Sequence, residues 1–411
     1  MFRTALPRLP ARPYSIKKVI MLTLSLKTFP GRYRYLLMAA ALLLRLQSPA
    51  MAAGPIAPRI PVITAGISES VISIPVDDGI SLQTTVFKPQ GDGPFPLAII
   101  NHSAEGKKTP AEQPRFRYNN GVFYFIARGY MVVQPMMRGY AGSQGVFADA
   151  LCNQPAKVGL ANARDIHAVI DYMLAQPDVD ASPGVVVMGQ SFGGWNTLAY
   201  GALGDTRVKA LVNFAGGVFL GHCRRDPSGL VAGAGEFGAQ SRTPSIWFYG
   251  ENDSYFPPAT SQRMVRAYIE HGGQAKYIDD GEFMDDAHNY FAAAEGIQWW
   301  APILDDFLAS LGLPHRVLHP QNMPKPFPSA SQYAELNDTS AIPYVNDFGR
   351  KAYQQFLKQP FPRVFAVSKD GTARTVCGGF DPVGFLLNSC KMQGAECELY
   401  AIDDHVVWHK E

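Results

Sequence analysis

Charge is scarce in this chain of 411 residues, since Asp, Glu, Lys and Arg make up only 18% of it. The 37 basic and 35 acidic side chains nearly cancel, which leaves a formal net charge of +2. No basic cluster with interleaved aromatic residues occurs, so we expect neither nucleic acid nor another polyanion as a partner. The apolar share of 47% indicates a globular protein with a substantial core.

A long apolar run is also missing. The run over residues 36–44 is too short to cross a bilayer, so no permanent membrane span is expected. Arg32 and Arg34 precede this run, and Ala50 and Ala52 after it fit the small-x-small pattern of signal cleavage. We therefore predict an export signal that is cleaved near Ala52 and delivers the chain to the periplasm or the medium. An uncleaved amphipathic tail is the alternative.

Short apolar runs alternate with helical patterns along the middle of the chain. Two strand-like segments, 69–76 and 80–88, flank Asp77-Asp78-Gly79, a turn sequence typical of an antiparallel hairpin. Beyond the hairpin, strands and helices alternate, which predicts an α/β fold: a mostly parallel sheet of about eight strands with helices on both faces. The further strands are predicted at 95–100, 130–135, 185–189, 208–216, 244–250 and 275–280, and the helices at 119–128, 160–176, 193–203, 258–271 and 296–311.

Residues capable of chemistry follow directly after several of these strands. They are residues 101–103, residues 138–143, Ser191, Asp253 and His288. In open parallel sheets, ligands bind beyond the carboxyl ends of the strands, so these residues are expected to meet in one site.

The stretch Gly189-Gln190-Ser191-Phe192-Gly193 has the pattern of a nucleophile turn between a strand and a helix. Glycines flank the serine in such turns because the backbone is strained and the strand and the helix approach closely. We predict that Ser191 is a nucleophile. A glycine-rich loop that contains a serine by chance is the alternative.

A serine hydroxyl needs an imidazole to take its proton and a carboxylate to orient that imidazole. At a turn of this kind the partners follow in the chain order serine, acid, histidine. Asp253, just after a strand, is the predicted acid, and Glu251 is its nearest rival. His288 is the predicted base, because the remaining histidines precede the serine or the acid, end a predicted helix, or lie in the proline-rich exit or the tail.

Two N–H donors are needed to stabilise the oxyanion of such a reaction. One is the amide of Phe192, next to the nucleophile, and the other is predicted at His102 or Ser103. For His102, a structural ring that ties its loop is an equal alternative. Tyr140 and Tyr255 are predicted to form aromatic walls of the substrate pocket.

Cysteine is infrequent, with five residues in the chain. In an exported protein such cysteines tend to form disulfides. Cys390 and Cys397 bracket a turn-like stretch and are predicted to pair, and Cys152 and Cys223, on loops at one edge of the predicted sheet, form the second predicted pair. Cys377 is then left over. Five free thiols in a reducing compartment are the alternative.

The stretches LAIINHS, RGYAGSQG, VVVMGQSFGGW and GENDSYF, with the His288 loop, resemble the α/β-hydrolase superfamily, and more narrowly its dienelactone-hydrolase-like and prolyl-oligopeptidase-like branches. The resemblance spans about residues 70–312. It implies hydrolysis of an ester, less often an amide, through an acyl-serine, with no metal or organic cofactor. Dienelactone hydrolases proper carry cysteine where this chain has Ser191, which favours general ester hydrolysis. Prolyl-oligopeptidase-like enzymes usually carry a large N-terminal domain, for which the segment before the first strand leaves no room.

After the last of these helices the chain becomes rich in proline and polar residues. Residues 54–312 are predicted as the catalytic domain, 313–345 as a proline-rich linker and 346–411 as a small α+β unit to which we attach no chemistry. Segment 217–243 is long for a connector and is predicted to cover the site.

These features predict an exported serine hydrolase that acts on a small-molecule carboxylic ester. An exported serine peptidase and a catalytically silent binding protein on the same fold are the alternatives. The oligomeric state is not predicted.

Overall fold

The hairpin that opens the folded chain consists of β1 (Ser68–Pro75) and β2 (Ser81–Lys88), which pair antiparallel over their whole length. Asp78, in the turn between them, has a φ of 66°, a left-handed conformation that short polar residues tolerate. The predicted hairpin is therefore present, with strand ends within a residue or two of those expected.

The computed structural model describes residues 67–105, 108–147, 153–219, 226–293, 295–323, 327–359, 362–377 and 382–410. All of them belong to one compact unit, Ile60–Glu411. The predicted export signal over residues 1–53 and the predicted Cys152–Cys223 pair lie outside the described residues. Within the described ranges, no helix has both the length and the hydropathy needed to cross a membrane.

The hairpin continues into a sheet whose further strands are β3 (Phe95–Asn101), β4 (Met131–Pro135), β5 (Val179–Asp180), β6 (Val185–Gln190), β7 (Val208–Phe214), β8 (Ser245–Tyr249) and β9 (Ala275–Asp279). The nine strands of the described residues are ordered β1-β2-β4-β3-β6-β7-β8-β9, with β5 paired to β3. The pairs that β3 makes with β4, β5 and β6, and those from β6 through β9, are parallel. β4, β6 and β8 are buried along their whole length, as expected for strands covered on both faces.

Six helices cover the two faces of this sheet and bury separate apolar cores. One core includes Ile166, Trp195 and Phe237, and the other includes Phe125 and Trp300. The helices are α1 (Asn119–Ile126), α2 (Pro155–Leu174), α3 (Phe192–Gly201), α4 (Ser228–Gln240), α5 (Pro258–Glu270) and α6 (Ile297–Ser310). Helices α2 to α5 supply residues to the first core, and α1 and α6 supply residues to the second.

Helix α4 lies in the segment that the sequence predicts as a cover, and for these residues that prediction was wrong. Leu230, Ala234 and Phe237 of α4 are buried in the core. A Cβ atom at Gly238 would lie 2.1 Å from the carbonyl oxygen of Tyr268 on α5, so only glycine allows this helix crossing. Residues 228–240 therefore connect two strands as a packed helix.

The C-terminal part of the chain forms a second, antiparallel sheet with a helix packed on each face. Its elements are α7 (Asp347–Phe356), β10 (Arg363–Ser368), β11 (Ala373–Cys377), α8 (Pro382–Met392), β12 (Cys397–Ile402) and β13 (His405–Val406). The strands are ordered β11-β10-β12-β13. Cys390 and Cys397 form a disulfide with their Cα atoms 6.0 Å apart. Cys377 carries a free thiol.

Part of the predicted linker packs against this small sheet. Ile342 and Val345 are buried in the same cluster as Tyr353 of α7. The N–H of Ser331 donates to the carbonyl of Val406 at 2.8 Å. The C-terminal unit therefore recruits residues from the second half of the 313–345 segment.

Candidate active site

Ser191 occupies a strained turn between two regular elements. Strand β6 ends at Gln190, helix α3 begins at Phe192, and Ser191 between them has φ 54° and ψ −120°. A Cβ atom at Gly193 would lie 2.1 Å from the carbonyl oxygen of Asn101 on β3, so the helix approaches the sheet too closely for any side chain there. This local geometry is that of the strand–turn–helix nucleophile turn.

His288 and Asp253 form a hydrogen-bonded pair on the loops that follow β9 and β8. The Nδ1 atom of His288 lies 3.2 Å from both carboxylate oxygens of Asp253. The Asp253 side chain is fully buried, and its Oδ1 also accepts the N–H groups of Tyr255 at 2.8 Å and Phe256 at 2.9 Å. The carboxylate is thus fixed by backbone donors and can orient the imidazole.

Glu251, the rival acid, has an exposed residue surface, while its backbone N–H donates to the Gly281 carbonyl at 2.7 Å. The Asp253 carboxylate, and not that of Glu251, is the partner of His288.

A buried side chain of the nucleophile turn holds the histidine loop. The Nε2 group of Gln190 donates to the carbonyl of His288 at 2.5 Å. Among the described residues, no hydrogen bond joins the Ser191 hydroxyl to the His288 ring; in enzymes without substrate this contact is often loose. The structure therefore brings the Ser191 turn and the His288–Asp253 pair together through Gln190.

Sequence reasoning missed Asp286, which links the acid loop to the base loop. Its Oδ1 accepts the N–H groups of Ser254 and His288, both at 3.0 Å, and its Oδ2 accepts the Ser254 hydroxyl at 2.7 Å. Burial alone would raise the pKa of Asp286, but the hydrogen bonds from Ser254 and His288 outweigh burial and hold that pKa below its usual value. An Asp two residues ahead of the base, before a short turn, is a capping signal that could have identified it.

The predicted oxyanion donors differ in whether their N–H groups already have an acceptor. Phe192 is the first residue of α3, so its N–H has no acceptor within the helix. The Ser103 N–H donates to the Tyr118 hydroxyl at 2.8 Å and is not a free donor, which argues against its predicted role. The His102 amide is then the better second candidate on this loop.

The His102 ring is a buried structural group. It exchanges hydrogen bonds with the Ser103 carbonyl at 2.7 Å through Nδ1 and with the Met137 N–H at 2.9 Å through Nε2. This pattern requires the neutral tautomer with the proton on Nδ1. Burial lowers the pKa of His102 to about 4, although the bond to the Ser103 carbonyl acts in the opposite direction.

The two predicted pocket tyrosines differ in exposure. Tyr140 is only 3% exposed, and its ring lies 4.7 Å from that of His102 and 5.6 Å from that of Phe192, between ring centroids. Its burial conflicts with the predicted role as a pocket wall. Tyr255 is 38% exposed, and its ring centroid lies 4.5 Å from that of His288. Tyr255 is thus placed where a substrate could contact it.

The stretch after β4 serves as a scaffold for the site. Arg138 binds both carboxylate oxygens of the buried Asp165 on α2, at 2.8 and 2.6 Å. The Ser143 hydroxyl donates to the Met136 carbonyl at 2.7 Å and accepts the Gln83 N–H at 2.9 Å. These contacts fix the loop over residues 138–143, whose Tyr140 packs against the His102 ring.

The chain has the α/β-hydrolase fold. The order of its mostly parallel strands, the serine on the turn after β6 and the Asp–His pair on the loops after β8 and β9 all match that fold.

Comparison with known proteins gives a match to one family model and similarity to solved structures. The sequence model of the X-Pro dipeptidyl-peptidase (S15) family matches residues 78–237. Comparison with curated proteins gives no significant match.

Three solved structures share low sequence identity with the chain. Dipeptidyl peptidase 4 from Porphyromonas gingivalis is 17% identical, with a TM-score of 0.46 over 60% of this chain and 36% of that chain. Acetyl xylan esterase from Paenibacillus sp. R4 is 17% identical, with a TM-score of 0.43 over 69% of this chain and 96% of that chain. Est1E from Butyrivibrio proteoclasticus, in a structure with bound ferulic acid, is 17% identical, with a TM-score of 0.42 over 58% of this chain and 98% of that chain. The fold assignment rests on the strand order of this chain itself.

Proposed function

We propose that this protein is a serine hydrolase that cleaves carboxylic esters through an acyl-serine intermediate. One observation carries the proposal: the loop of His288, whose ring is hydrogen-bonded to Asp253, is tied through Gln190 to the strained turn that presents Ser191. A nucleophile, a base and an orienting acid are the groups that acyl transfer needs.

In the proposed mechanism His288 Nε2 takes the proton of the Ser191 hydroxyl while its oxygen attacks the ester carbonyl. Asp253, held against Nδ1, stabilises the imidazolium that forms. The amide of Phe192 and that of His102 are proposed to hold the oxyanion. His288 then protonates the leaving alkoxide, and water repeats the cycle on the acyl-serine.

Peptide hydrolysis is the second candidate, because the family model that matches residues 78–237 describes X-Pro dipeptidyl-peptidases. An alkoxide is a better leaving group than an amine anion, so ester cleavage demands less of the same site. We therefore rank the ester first and keep the amide as the alternative.

Fluorophosphonate labelling of the wild type and of Ser191→Ala tests the proposal. We expect labelling in the wild type and none in the variant, because only an activated serine reacts at a useful rate. A panel of p-nitrophenyl esters and X-Pro peptide anilides then separates the two substrate classes. A folded wild type that stays unlabelled would contradict both enzyme readings and favour the binding protein.

We also infer that the protein is exported, with cleavage near Ala52. The Cys390–Cys397 disulfide supports this inference, because disulfides persist in oxidising compartments and are rare in the cytosol.

A further inference from the structure

The contacts of Asp286 assign it a role beyond the proposed triad. We propose that Asp286 is a positioning residue that holds His288 in register with Asp253 during the reaction. The inference rests on the proposed function of the Ser191 site, since it concerns how the base of that site is held.

The geometry of Asp286 connects the two loops at the point where acid and base meet. Ser254, which binds Asp286 through both its N–H and its hydroxyl, directly follows Asp253 in the chain. The N–H of His288 itself binds the same carboxylate at 3.0 Å. A single side chain therefore couples the backbone beside the acid to the backbone of the base.

Apart from Gln190, which binds the His288 carbonyl, the turn that carries His288 has few local contacts to define it. It is a single 3-10 turn, Ala287–Asn289, and Asp286 caps its N-terminus from an extended conformation. A turn this short has few hydrogen bonds of its own, so loss of the cap frees its first N–H groups. The other ties between the loops lie further from the base: Asn252 binds the Phe283 N–H at 3.0 Å and the Met284 carbonyl at 2.8 Å.

Asp286 acts on His288 through the backbone, whereas other groups contact the ring. Asp253 approaches the His288 ring from the acid loop at 3.2 Å, and the Tyr255 ring centroid lies 4.5 Å from that of His288. The contact of Asp286 with His288 is the hydrogen bond that it accepts from the His288 N–H. Asp286 can therefore be replaced without removing a contact to the imidazole itself.

Two variants and one control test this role. Asp286→Asn keeps an oxygen that can accept the two N–H groups, and Asp286→Ala removes that acceptor. Asp285→Asn is the matched control, because Asp285 is an exposed carboxylate one residue earlier in the same loop. Fluorophosphonate labelling rates, kcat and KM for p-nitrophenyl acetate, and thermal melting are measured for each across the pH range of activity.

For Asp286→Ala we expect kcat to fall by about tenfold or more with KM little changed, since the base loses its alignment. For Asp286→Asn we expect a fall of about threefold at most, because the amide oxygen can still accept the two N–H groups and keeps the base near its alignment. Asp285→Asn should match the wild type in all three readouts.

Two results would overturn the inference, and they are distinguishable. If the wild type labels at Ser191 while the Asp286 variants keep the kcat of the Asp285→Asn control, Asp286 only stabilises the loop. If the wild type shows no labelling that depends on Ser191, the proposed function fails and this inference fails with it.

Discussion

At the residue scale, the buried ring of His102 makes the stability of the folded protein depend on pH. The folded protein holds its imidazole neutral, and burial lowers its pKa from 6.5 to about 4. Between these values the unfolded chain binds a proton that the folded protein does not. The contribution of His102 to stability is therefore fully present above pH 6.5 and is lost as the pH falls toward 4.

Replacing His102 by glutamine should remove this pH dependence. Glutamine can accept the Met137 N–H and donate to the Ser103 carbonyl, but it does not titrate. We expect the loss of unfolding free energy between about pH 7 and pH 4 to be smaller in His102→Gln than in the wild type, by up to about 3 kcal/mol. Urea unfolding at both pH values measures it. His409→Gln, at an exposed position, is the control, and equal pH dependence in the two variants would speak against the prediction.

At the residue scale, sequence indicates groups whose role depends on local pattern or chain order. Ser191 lies in a pentapeptide with a fixed local geometry, and Asp253 and His288 follow it in the expected order. Asp286 was missed because its capping position before the His288 turn was overlooked, and because its bonds to Ser254 join two loops that are distant in sequence. Tyr118 takes the Ser103 N–H across 15 residues of chain, so only the folded structure shows that this donor is occupied.

Helix α4 shows how an element can contradict its own composition. Its sequence SGLVAGAGEFGAQ contains four glycines, which disfavour a helix, and no helix was predicted there. The covering segment was predicted because residues 217–243 are long for a connector. Tertiary packing reverses the preference of the glycines, because α4 lies so close to α5 that a Cβ at Gly238 would overlap the Tyr268 carbonyl. By contrast α2 and α5, with regular apolar stripes, were predicted to within a few residues.

Two alanine substitutions in α4 test this packing. Gly238→Ala should destabilise the protein by about 1–3 kcal/mol, because backbone must move to admit the methyl group. Gly235→Ala should be neutral or stabilising, since its nearest neighbour is the end of the His271 ring at 3.1 Å and alanine favours the helix. Thermal melting compares the two, and a similar loss in both would show that α4 tolerates no added methyl group anywhere.

At the scale of the whole chain, intact mass tests export and disulfide pairing together. We expect protein recovered outside the cytoplasm to begin near Ala53, with one cysteine alkylated before reduction and all five after it. The single free thiol should be Cys377. Cys390→Ser should then expose one further thiol, that of Cys397. A chain that retains residues 1–53 and alkylates five cysteines without reduction would contradict export.

The fold of the main sheet could largely be predicted from the sequence, because strands and helices alternate along it and turn residues separate them. About eight strands were predicted for the main sheet, and the structure has nine in the described residues. The additional strand, β5, has only two residues and is too short to give a recognisable sequence pattern. The C-terminal unit was harder, because α7 follows a proline-rich segment and buries Tyr353 and Phe356 only against a sheet formed later in the chain. Contacts distant in sequence define that unit, and local patterns do not contain them.

The strained backbone at Ser191 has a cost in stability. A non-glycine residue at φ 54°, ψ −120° costs about 1–3 kcal/mol, which glycine does not incur. Stability alone therefore favours glycine at position 191, whereas the proposed chemistry requires serine. A copy of this chain without that chemistry would gain stability by replacing Ser191 with glycine.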